Sequence, residues 1–452
     1  MLHILISIIG IILTILFIVG THEAGHFFAA RAVGVKVLTF SIGFGKKIFS
    51  LHDKSGTEYI FAMIPLGGFV RMLDESEGSV SQDELQLAYN NQPFYKKFII
   101  VAAGPMMNFI SAIVLYWIIF MLGIFTIKPV IGEVKPHSIA ADAGLKPMQQ
   151  IIKIDGRDVR TWTNVLFKLL AQTGNGGILS IETSGIDKHN IESHHLQLST
   201  WKMDNLNPDP LMSLGIIPYE PPIKLEIGYL RENSPATKAG LKLNDKLIAI
   251  DKKKINDWLD IQSQVISHPD ATLQFTIERG GKIMQIPVTI GSQRNWWMQK
   301  SGLLGIGPDI NIPENMKLHI QYSPLAALPV AIDETYDFAR FNLLLFGKLF
   351  TGKLSLQSLG GPITIFDSAG DSLNYGFLPF IGFLAFLSIS IGVINLFPIP
   401  GLDGGHLFLQ LIEAITRRAI PDNIISLLYR IGFIFIIFIL IQALINDILR
   451  LF

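Results

Sequence analysis

Four long apolar runs set the plan of this chain, because each is long enough to cross a bilayer as a helix, which takes about 20 residues. The runs cover residues 2–21, 98–121, 376–397 and 426–447. The first run lacks the basic leading segment and the small-residue cleavage site of a secretory signal, so we interpret it as a retained span. A further segment, residues 322–350, has helical apolar spacing but carries several charges, which predicts a helix lying along the membrane surface.

Residues 35–75 follow a different pattern. Apolar and polar positions alternate there, strand-forming residues are frequent and glycines interrupt the run, which predicts β-strands rather than a helix. The sequence Asp-Lys-Ser-Gly at residues 53–56 is typical of a hairpin turn. Beside a membrane, this hairpin is either a small packed sheet or an edge left open for a partner strand, and the pattern supports both interpretations.

An internal repeat occupies residues 122–310. Residues 132–159 align without a gap with residues 228–255, and both copies contain Ser-x-Ala-x-x-Ala-Gly-Leu-Lys followed by Ile-Asp. This pattern resembles the PDZ domain and predicts two tandem copies, at residues 122–220 and 221–310. PDZ domains bind chain ends by adding a strand to a groove, so the pair is either a module for peptide or chain-end ligands or a steric filter.

The predicted fold class is a multi-pass α-helical membrane protein with four transmembrane helices, a membrane-associated β region and two inserted PDZ domains. Its expected divisions are residues 1–121 (two spans and the β region), 122–220 and 221–310 (the PDZ domains), 311–375 (surface helix and linker) and 376–452 (two spans and the loop between them). Composition agrees, since only 16% of the residues are charged, whereas soluble domains have about 25%. The formal net charge is zero, so no nucleic-acid partner is implied. The lack of cysteine excludes disulfides and thiolate metal sites.

Candidate chemistry stands at the end of the first run, where His22, Glu23 and His26 form the pattern His-Glu-x-x-His. On a helix, residues four apart share a face, so both imidazoles can bind one metal ion. Glu23 points to a neighbouring position, from which it can take a proton from a water that zinc has activated. Because ionisable groups at membrane depth are usually functional, the pattern predicts a catalytic zinc site.

The order of the spans limits the choice of a third ligand, which catalytic zinc usually needs. If the first span ends on one side of the membrane, the third span ends on that side too, and residues 395–406 follow it. Asp403 and His406 are therefore expected on the same face as the His-Glu-x-x-His pattern. Asp403 would complete a site of two histidines and one carboxylate. His406 is either an alternative ligand or an ordinary residue at a helix N-terminus.

Basic residues near the ends of the spans predict that this face of the membrane is cytoplasmic. They are Arg31, Lys36, Lys46, Lys47, Arg71, Lys96, Lys97, Arg417 and Arg418. The PDZ domains and both termini would then lie outside the cytoplasm, and the active site would open toward the cytoplasmic side.

Four features together resemble the site-2 protease family. They are His-Glu-Ala-Gly-His at residues 22–26, Ala-Gly-Pro-Met-Met-Asn-Phe at 103–109, Asn-Leu-Phe-Pro-Ile-Pro-Gly-Leu-Asp-Gly-Gly at 395–405, and the PDZ pair between the spans. The resemblance covers essentially the whole chain. It implies a zinc site whose members are the ligands His22, His26 and Asp403, the general base Glu23, and Asn395, which would position the substrate or stabilise a developing oxyanion.

The activity that this resemblance implies is intramembrane proteolysis by a zinc metalloendopeptidase of a bacterial inner membrane. Its substrates would be single-pass membrane proteins, such as an anti-sigma factor already trimmed by another protease, and remnant signal peptides. Because a transmembrane helix shields its own amides with hydrogen bonds, the substrate must first be unwound. The hairpin at residues 35–75 offers strand pairing for this purpose, with Gly43, Phe44 and Gly45 expected beside the site.

Two other functions stay open from the sequence. A metal transporter would need several ligand clusters along a path, and only one cluster is evident. An inactive scaffold that presents PDZ domains would have no use for Glu23. Asn108 in the second span likewise has two interpretations, since an amide there can bond structurally between helices or contact a substrate.

Residues 104–105 and 398–400 contain prolines that either shape an entry cleft or simply end helices. His189, His194 and His195 are predicted to lie in a solvated loop of the first repeat rather than in a second metal site.

Overall fold

The computed structural model describes residues 2–76, 78, 80–186, 190–203, 209–294, 300–310, 312–352, 356 and 360–451. The helices are α1 (Leu2–Ala32), α2 (Phe94–Leu122), α3 (Ile139–Asp142), α4 (Trp162–Gln172), α5 (Pro210–Leu214), α6 (Pro235–Lys238), α7 (Trp258–Ser267), α8 (Pro324–Phe350), α9 (Pro362–Tyr375), α10 (Phe377–Leu396), α11 (Asp403–Thr416) and α12 (Asp422–Leu451). The strands are β1 (Val37–His52), β2 (Glu58–Met72), β3 (Ile124–Ile127), β4 (Ile131–Val134), β5 (Gln149–Ile154), β6 (Arg157–Asp158), β7 (Ile178–Gly185), β8 (Glu192–Gln197), β9 (Ile216–Pro218), β10 (Ile223–Leu230), β11 (Lys246–Ile250), β12 (Lys253–Lys254), β13 (Thr272–Arg279), β14 (Lys282–Thr289), β15 (Gly291–Arg294), β16 (Lys300–Leu303), β17 (Ile306–Ile310) and β18 (Lys317–Ile320).

Four helices of the described chain are long and apolar enough to cross a membrane, as predicted. These candidate spans are Leu5–Ala32, Phe94–Leu122, Phe377–Leu396 and Asn423–Leu449. The apolar run at residues 2–21 is the first part of a longer helix, since α1 continues through His22 and His26, as their spacing predicts, to Ala32. Its last third packs against α2 and the β region, which bury Glu23 and partly bury His22 and His26, whereas Arg31 is exposed.

The central helix of the bundle is α2, which packs against both α1 and α10. It runs without a break through Pro105, so the interpretation of residues 104–105 as a helix end is wrong. One apolar core joins the buried face of α2 to α8 and α10, and its members include Ala112, Leu115, Ile119, Phe338, Phe341, Ile381, Leu384 and Ala385.

The β region between the first two spans is a bent hairpin of β1 and β2, which confirms the predicted strands and turn. The carboxylate of Asp53 accepts backbone N–H bonds from Ser55 and Thr57 and so closes the turn. Residues 39–42 pair with residues 58–61 and also with residues 68–71. Residues 69–71 therefore form an outer edge, for which the described residues supply no second partner strand.

The internal repeat corresponds to two units whose elements follow the same order except before the last strand, where the first unit has helix α5 and the second has the β15–β16 hairpin. The first repeat unit runs from β4 to β9 and the second from β10 to β17, and each has its own apolar core. Ser138 and Ser234 cap the equivalent helices α3 and α6 by accepting backbone N–H bonds. Gly215 and Gly305, with positive φ angles of 89° and 83°, pack directly on those serines. The identification of these units as PDZ domains stays a prediction.

The expectation of a solvated histidine loop in the first repeat unit is wrong for His194. This residue lies in β8, is only 6% exposed, and its ring nitrogens contact the Thr183 hydroxyl at 2.9 Å and the Ala143 carbonyl at 3.1 Å. His189 lies outside the described residues.

The helix predicted at residues 322–350 is present as α8, and the first repeat unit rests on it. Its position along the membrane surface stays a prediction. The rings of Phe167 and Phe341 stack with centroids 4.4 Å apart. The Nζ atom of Lys348 donates to the carbonyl of Leu170 at 2.7 Å, close to the C-terminal end of α4. Contacts from α8 to α2 and α10 connect this unit to the membrane helices.

Helix α9 was predicted only as a linker, and its N-terminus is held by a side chain from another helix. The carboxylate of Asp447 on α12 accepts backbone N–H bonds from Gly361, Ile363 and Thr364 at 2.8, 2.9 and 3.2 Å. Asp447 is 2% exposed. Helix N-termini carry unpaired N–H groups and partial positive charge, so a buried carboxylate stabilises this end from outside the helix.

We expect Asp447→Ala to lower the free energy of unfolding by about 2–3 kcal/mol, because buried N–H groups lose a charged acceptor. Thermal unfolding of the detergent-solubilised protein measures the change. Asp371→Ala on the exposed face of α9 is the matched control and should have little effect. Equal destabilisation by the two substitutions would contradict this role of Asp447.

Candidate metal centre

Three predicted ligands, His22, His26 and Asp403, converge at one point within the bundle. The Nε2 atoms of the histidines lie 3.3 Å apart, and Oδ2 of Asp403 lies 3.2 Å from Nε2 of His22 and 3.4 Å from Nε2 of His26. No other group of three or more potential metal ligands occurs in the described part of the chain. The ligands come from opposite ends of the sequence, two from α1 and one from α11.

The spacing of these atoms fits a zinc ion. Bonds of about 2.0–2.1 Å in tetrahedral geometry set ligand atoms about 3.3–3.4 Å apart. Oδ2 of Asp403 is buried and forms no hydrogen bond with the described residues. Burial by itself would raise the pKa of Asp403, but the imidazoles of His22 and His26 outweigh it and hold the pKa well below its usual range. The carboxylate therefore stays ionised, as a metal ligand must.

His26 is fixed by the helix that faces it. Its Nδ1–H donates to the carbonyl of Ile100 on α2 at 2.8 Å, which leaves the Nε2 lone pair free to bind a metal ion. The ring fits because residue 104 is a glycine, since a Cβ atom there would overlap Nε2 of His26. Gly25 in turn packs on the backbone of Ala103. Two glycines therefore let α1 and α2 approach closely enough to build the centre.

Asp403 is the first residue of α11, a helix that the sequence analysis treated as a loop. Residues 397–402 turn back sharply after α10, with Gly401 at φ 100°. A Cβ at Gly404 would overlap the carbonyl of Phe397, and one at Gly405 would overlap the carbonyl of Ile399. The two glycines after Asp403 thus let α11 begin directly against the turn, which directs the carboxylate toward α1.

Glu23 lies beside the three ligands between α1 and β2. Its side chain is 9% exposed and packs on Gly68, where a Cβ would come within 2.8 Å of Cγ of Glu23. The sequence analysis did not single out Gly68. Its close approach to Glu23 is a contact between distant segments that no local pattern reveals.

A cavity of about 530 Å³ opens beside the candidate metal ligands. It is lined by His26, Asp403, His406, Tyr89 and the outer edge of the sheet at residues 69–72. The hairpin therefore borders the centre through β2, whereas the sequence analysis expected residues 43–45 of β1 to do so.

His406 borders the cavity but does not join the ligand group. It lies in the first turn of α11, and its Nδ1 is 2.8 Å from the hydroxyl of Tyr429 on α12. Burial lowers the pKa of His406. This arrangement favours the interpretation of His406 as a residue at a helix N-terminus over that of an alternative ligand.

The remaining predicted site residues have no described contact with the three candidate ligands. Asn395 is half-buried at the C-terminal end of α10. Gly43 and Gly45 have φ angles of 95° and 86° and bend β1. Phe44 between them stacks on Phe69 with ring centroids 6.1 Å apart. Their roles toward the substrate stay predictions.

Comparison with known proteins gives a consistent result. The family model of peptidase family M50 matches residues 10–439. The regulator of sigma-E protease RseP of Salmonella typhimurium is 37% identical over 453 residues, which cover all of both chains. RseP of Escherichia coli K12 is 36% identical over 445 residues, 98% of this chain and 97% of that protein. A Vibrio cholerae protein that carries the name of a zinc metalloprotease is 36% identical over the full length of both chains.

Proposed function

Because the chain belongs to peptidase family M50, the site-2 proteases that its motifs resemble, and is a zinc metalloprotease of a bacterial membrane, we propose that it cleaves single-pass membrane proteins within their transmembrane segments. The ligand cluster carries this proposal, since His22, Glu23 and His26 lie on one candidate membrane span and Asp403 begins the helix that follows another. A peptide bond inside the bilayer can reach such a centre only if the centre itself lies among the spans.

The residues have separate tasks in this reaction. His22, His26 and Asp403 would hold the zinc ion, which when bound supplies a water whose pKa falls to about 7. Glu23 takes a proton from the attacking water and delivers it to the leaving amine. We assign Asn395 the stabilisation of negative charge that develops on the carbonyl oxygen.

The outer edge of the sheet would hold the substrate in an extended form. Residues 69–71 face the cavity beside Asp403, and they lack a second partner strand among the described residues. A substrate segment added there exchanges its helical hydrogen bonds for strand pairing, which exposes the scissile amide. Phe44 stacks on Phe69 and supports this edge from within the sheet, with Gly43 and Gly45 shaping the bend.

A cysteine at position 71 should cross-link to a cysteine near the scissile bond of a single-pass substrate. The chain has no cysteine of its own, so the introduced thiol reacts alone. We expect Arg71→Cys in a Glu23→Gln background, which leaves the substrate uncut, to give a strong disulfide product on mild oxidation. Leu51→Cys, exposed on the far side of the sheet, is the control. Equal yields from positions 71 and 51 would exclude strand addition at this edge.

We further propose that the substrates include an anti-sigma factor, in line with the names of the regulator of sigma-E proteases. The repeat units, as PDZ domains on the periplasmic side, would admit substrates whose outer domain has been removed, and remnant signal peptides would meet the same condition. Cleavage of one single-pass helix with and without a folded outer domain tests this, since a size filter requires faster cleavage of the trimmed form.

The alternative functions find less support. A transporter needs successive ligand clusters along a path, and the described residues contain one. A scaffold would not need a carboxylate that is nine-tenths buried beside paired histidines.

A further inference from the structure

Asn108 on α2 lies behind the metal centre, on the side of His22 away from the zinc position. It is 0% exposed, and its amide Nδ2 is 3.4 Å from Nδ1 of His22. Its amide oxygen Oδ1 is also buried and has no hydrogen-bond partner in the described part of the chain. A buried amide oxygen without a donor costs about 1–3 kcal/mol, so this arrangement calls for an explanation.

The requirements of a metal ligand explain why this amide oxygen is buried beside His22. A neutral imidazole that binds zinc through Nε2 carries its proton on Nδ1, and Nδ1–H then needs an acceptor. Nδ2 of Asn108 is itself a hydrogen-bond donor, so it cannot be the acceptor that Nδ1–H of His22 needs. Turning the amide by half a turn about its Cβ–Cγ bond exchanges Nδ2 and Oδ1, which are nearly equal in size. The exchange gives Nδ1–H of His22 its acceptor and the orphaned oxygen its donor.

We propose that Asn108 is a positioning residue of the zinc site, whose Oδ1 accepts the Nδ1–H of His22 and so holds Nε2 free to bind the metal. His26 has the equivalent support from the carbonyl of Ile100. The two ligands on α1 are thus both oriented from α2, one by a main-chain oxygen and one by a side-chain amide. This inference rests on the proposed role of His22 as a zinc ligand.

The backbone around Asn108 is anchored as a positioning role requires. The hydroxyls of Ser111 and Ser388 both donate to the carbonyl of Asn108 at 2.9 Å. Gly392 on α10 leaves room for the side chain, since a Cβ there would come within 3.2 Å of Cβ of Asn108. These contacts fix the amide at the junction of three helices and limit its movement away from His22.

Zinc affinity of the purified protein, measured by competition with a chelator, tests the proposal apart from catalysis. Asn108→Leu removes the acceptor and should weaken zinc binding about 10–100-fold. Asn108→Asp keeps an acceptor oxygen and should retain most of the affinity. Ser390→Ala removes a hydroxyl from α10 that donates to the carbonyl of Phe386 in the same helix at 3.0 Å and has no described contact with Asn108, so this variant should bind zinc like the parent protein.

Three results would overturn the proposal: unchanged zinc affinity in Asn108→Leu, an equal loss in Asn108→Asp, or an equal loss in Ser390→Ala. His22→Ala separates this failure from that of the proposed function, because undiminished zinc binding there would remove His22 from the site altogether. If the leucine variant does not fold, nitrogen NMR of ¹⁵N-histidine-labelled, zinc-loaded protein decides, with the His22 resonance assigned by its loss in His22→Ala. A proton on Nδ1 of His22 is expected, and a proton on Nε2 would refute the assignment.

Discussion

Glu23→Gln should abolish cleavage while leaving zinc in place. The amide keeps the size of the carboxylate, so its packing on Gly68 is retained, but it cannot accept a proton from the attacking water. Loss of a general base lowers a rate by about 10²–10⁴-fold. The measurement pairs bound zinc per chain with the cleavage rate of a trimmed single-pass helix in detergent.

Glu334→Gln provides the control for this substitution. Glu334 is another partly buried carboxylate, but it lies next to Asn164 between α8 and the first repeat unit, far from the metal ligands. Its replacement should change cleavage little. If Glu23→Gln retained the parent rate, Glu23 would not be the base. If the variant lost its zinc, the lower rate would say nothing about proton transfer.

Gly104→Ala should weaken zinc binding by about 100-fold or more, at or beyond the upper end of what the loss of a supporting contact costs. The added methyl group would overlap the Nε2 atom of His26, which is the atom proposed to bind the metal. The ring cannot turn aside without breaking its hydrogen bond to Ile100. Relief therefore requires α1 and α2 to separate, which also moves His22 and Glu23. Chelator competition measures the loss.

Gly382→Ala is the matched control, because it adds the same methyl group to another membrane helix. There a Cβ would meet only the Cδ1 atom of Ile119 at 3.8 Å, an ordinary contact distance. The control should bind zinc and fold like the parent protein. Parent-like zinc affinity in Gly104→Ala would mean that the helices adjust more easily than their packing suggests.

The sequence predicts those features that depend on local periodicity. Apolar run length gives the spans, alternation gives the hairpin, and the spacing of His22 and His26 gives a shared helix face. Span order alone brings Asp403 to the same side. The end of α1 at Ala32 was not predicted, because the apolar run stops near residue 21 and the last turns are held by packing on α2 and the β region.

Features that depend on distant packing were not predictable from one sequence. Gly68 approaches Glu23 only because the hairpin folds onto α1, and the hydrogen bond to His26 comes from a main-chain oxygen that has no residue signature. The cap on α9 is supplied by Asp447, far along the chain, so no local capping pattern marks it. The sequence shows Asn108 as a polar residue within a span. Its contact with His22 could not be predicted, because it depends on how α1 and α2 pack against each other.

The placement of the proposed zinc ligands at opposite ends of the chain has a consequence for biogenesis. The chain is synthesised from its N-terminus, so His22 and His26 enter the membrane long before Asp403 leaves the ribosome. A structural contact between such distant residues is among the last to form. The nascent protease is therefore inactive while its own spans are being inserted into the membrane. A prematurely terminated translation product likewise contains the His-Glu-x-x-His motif but lacks Asp403, so it cannot cleave other membrane proteins.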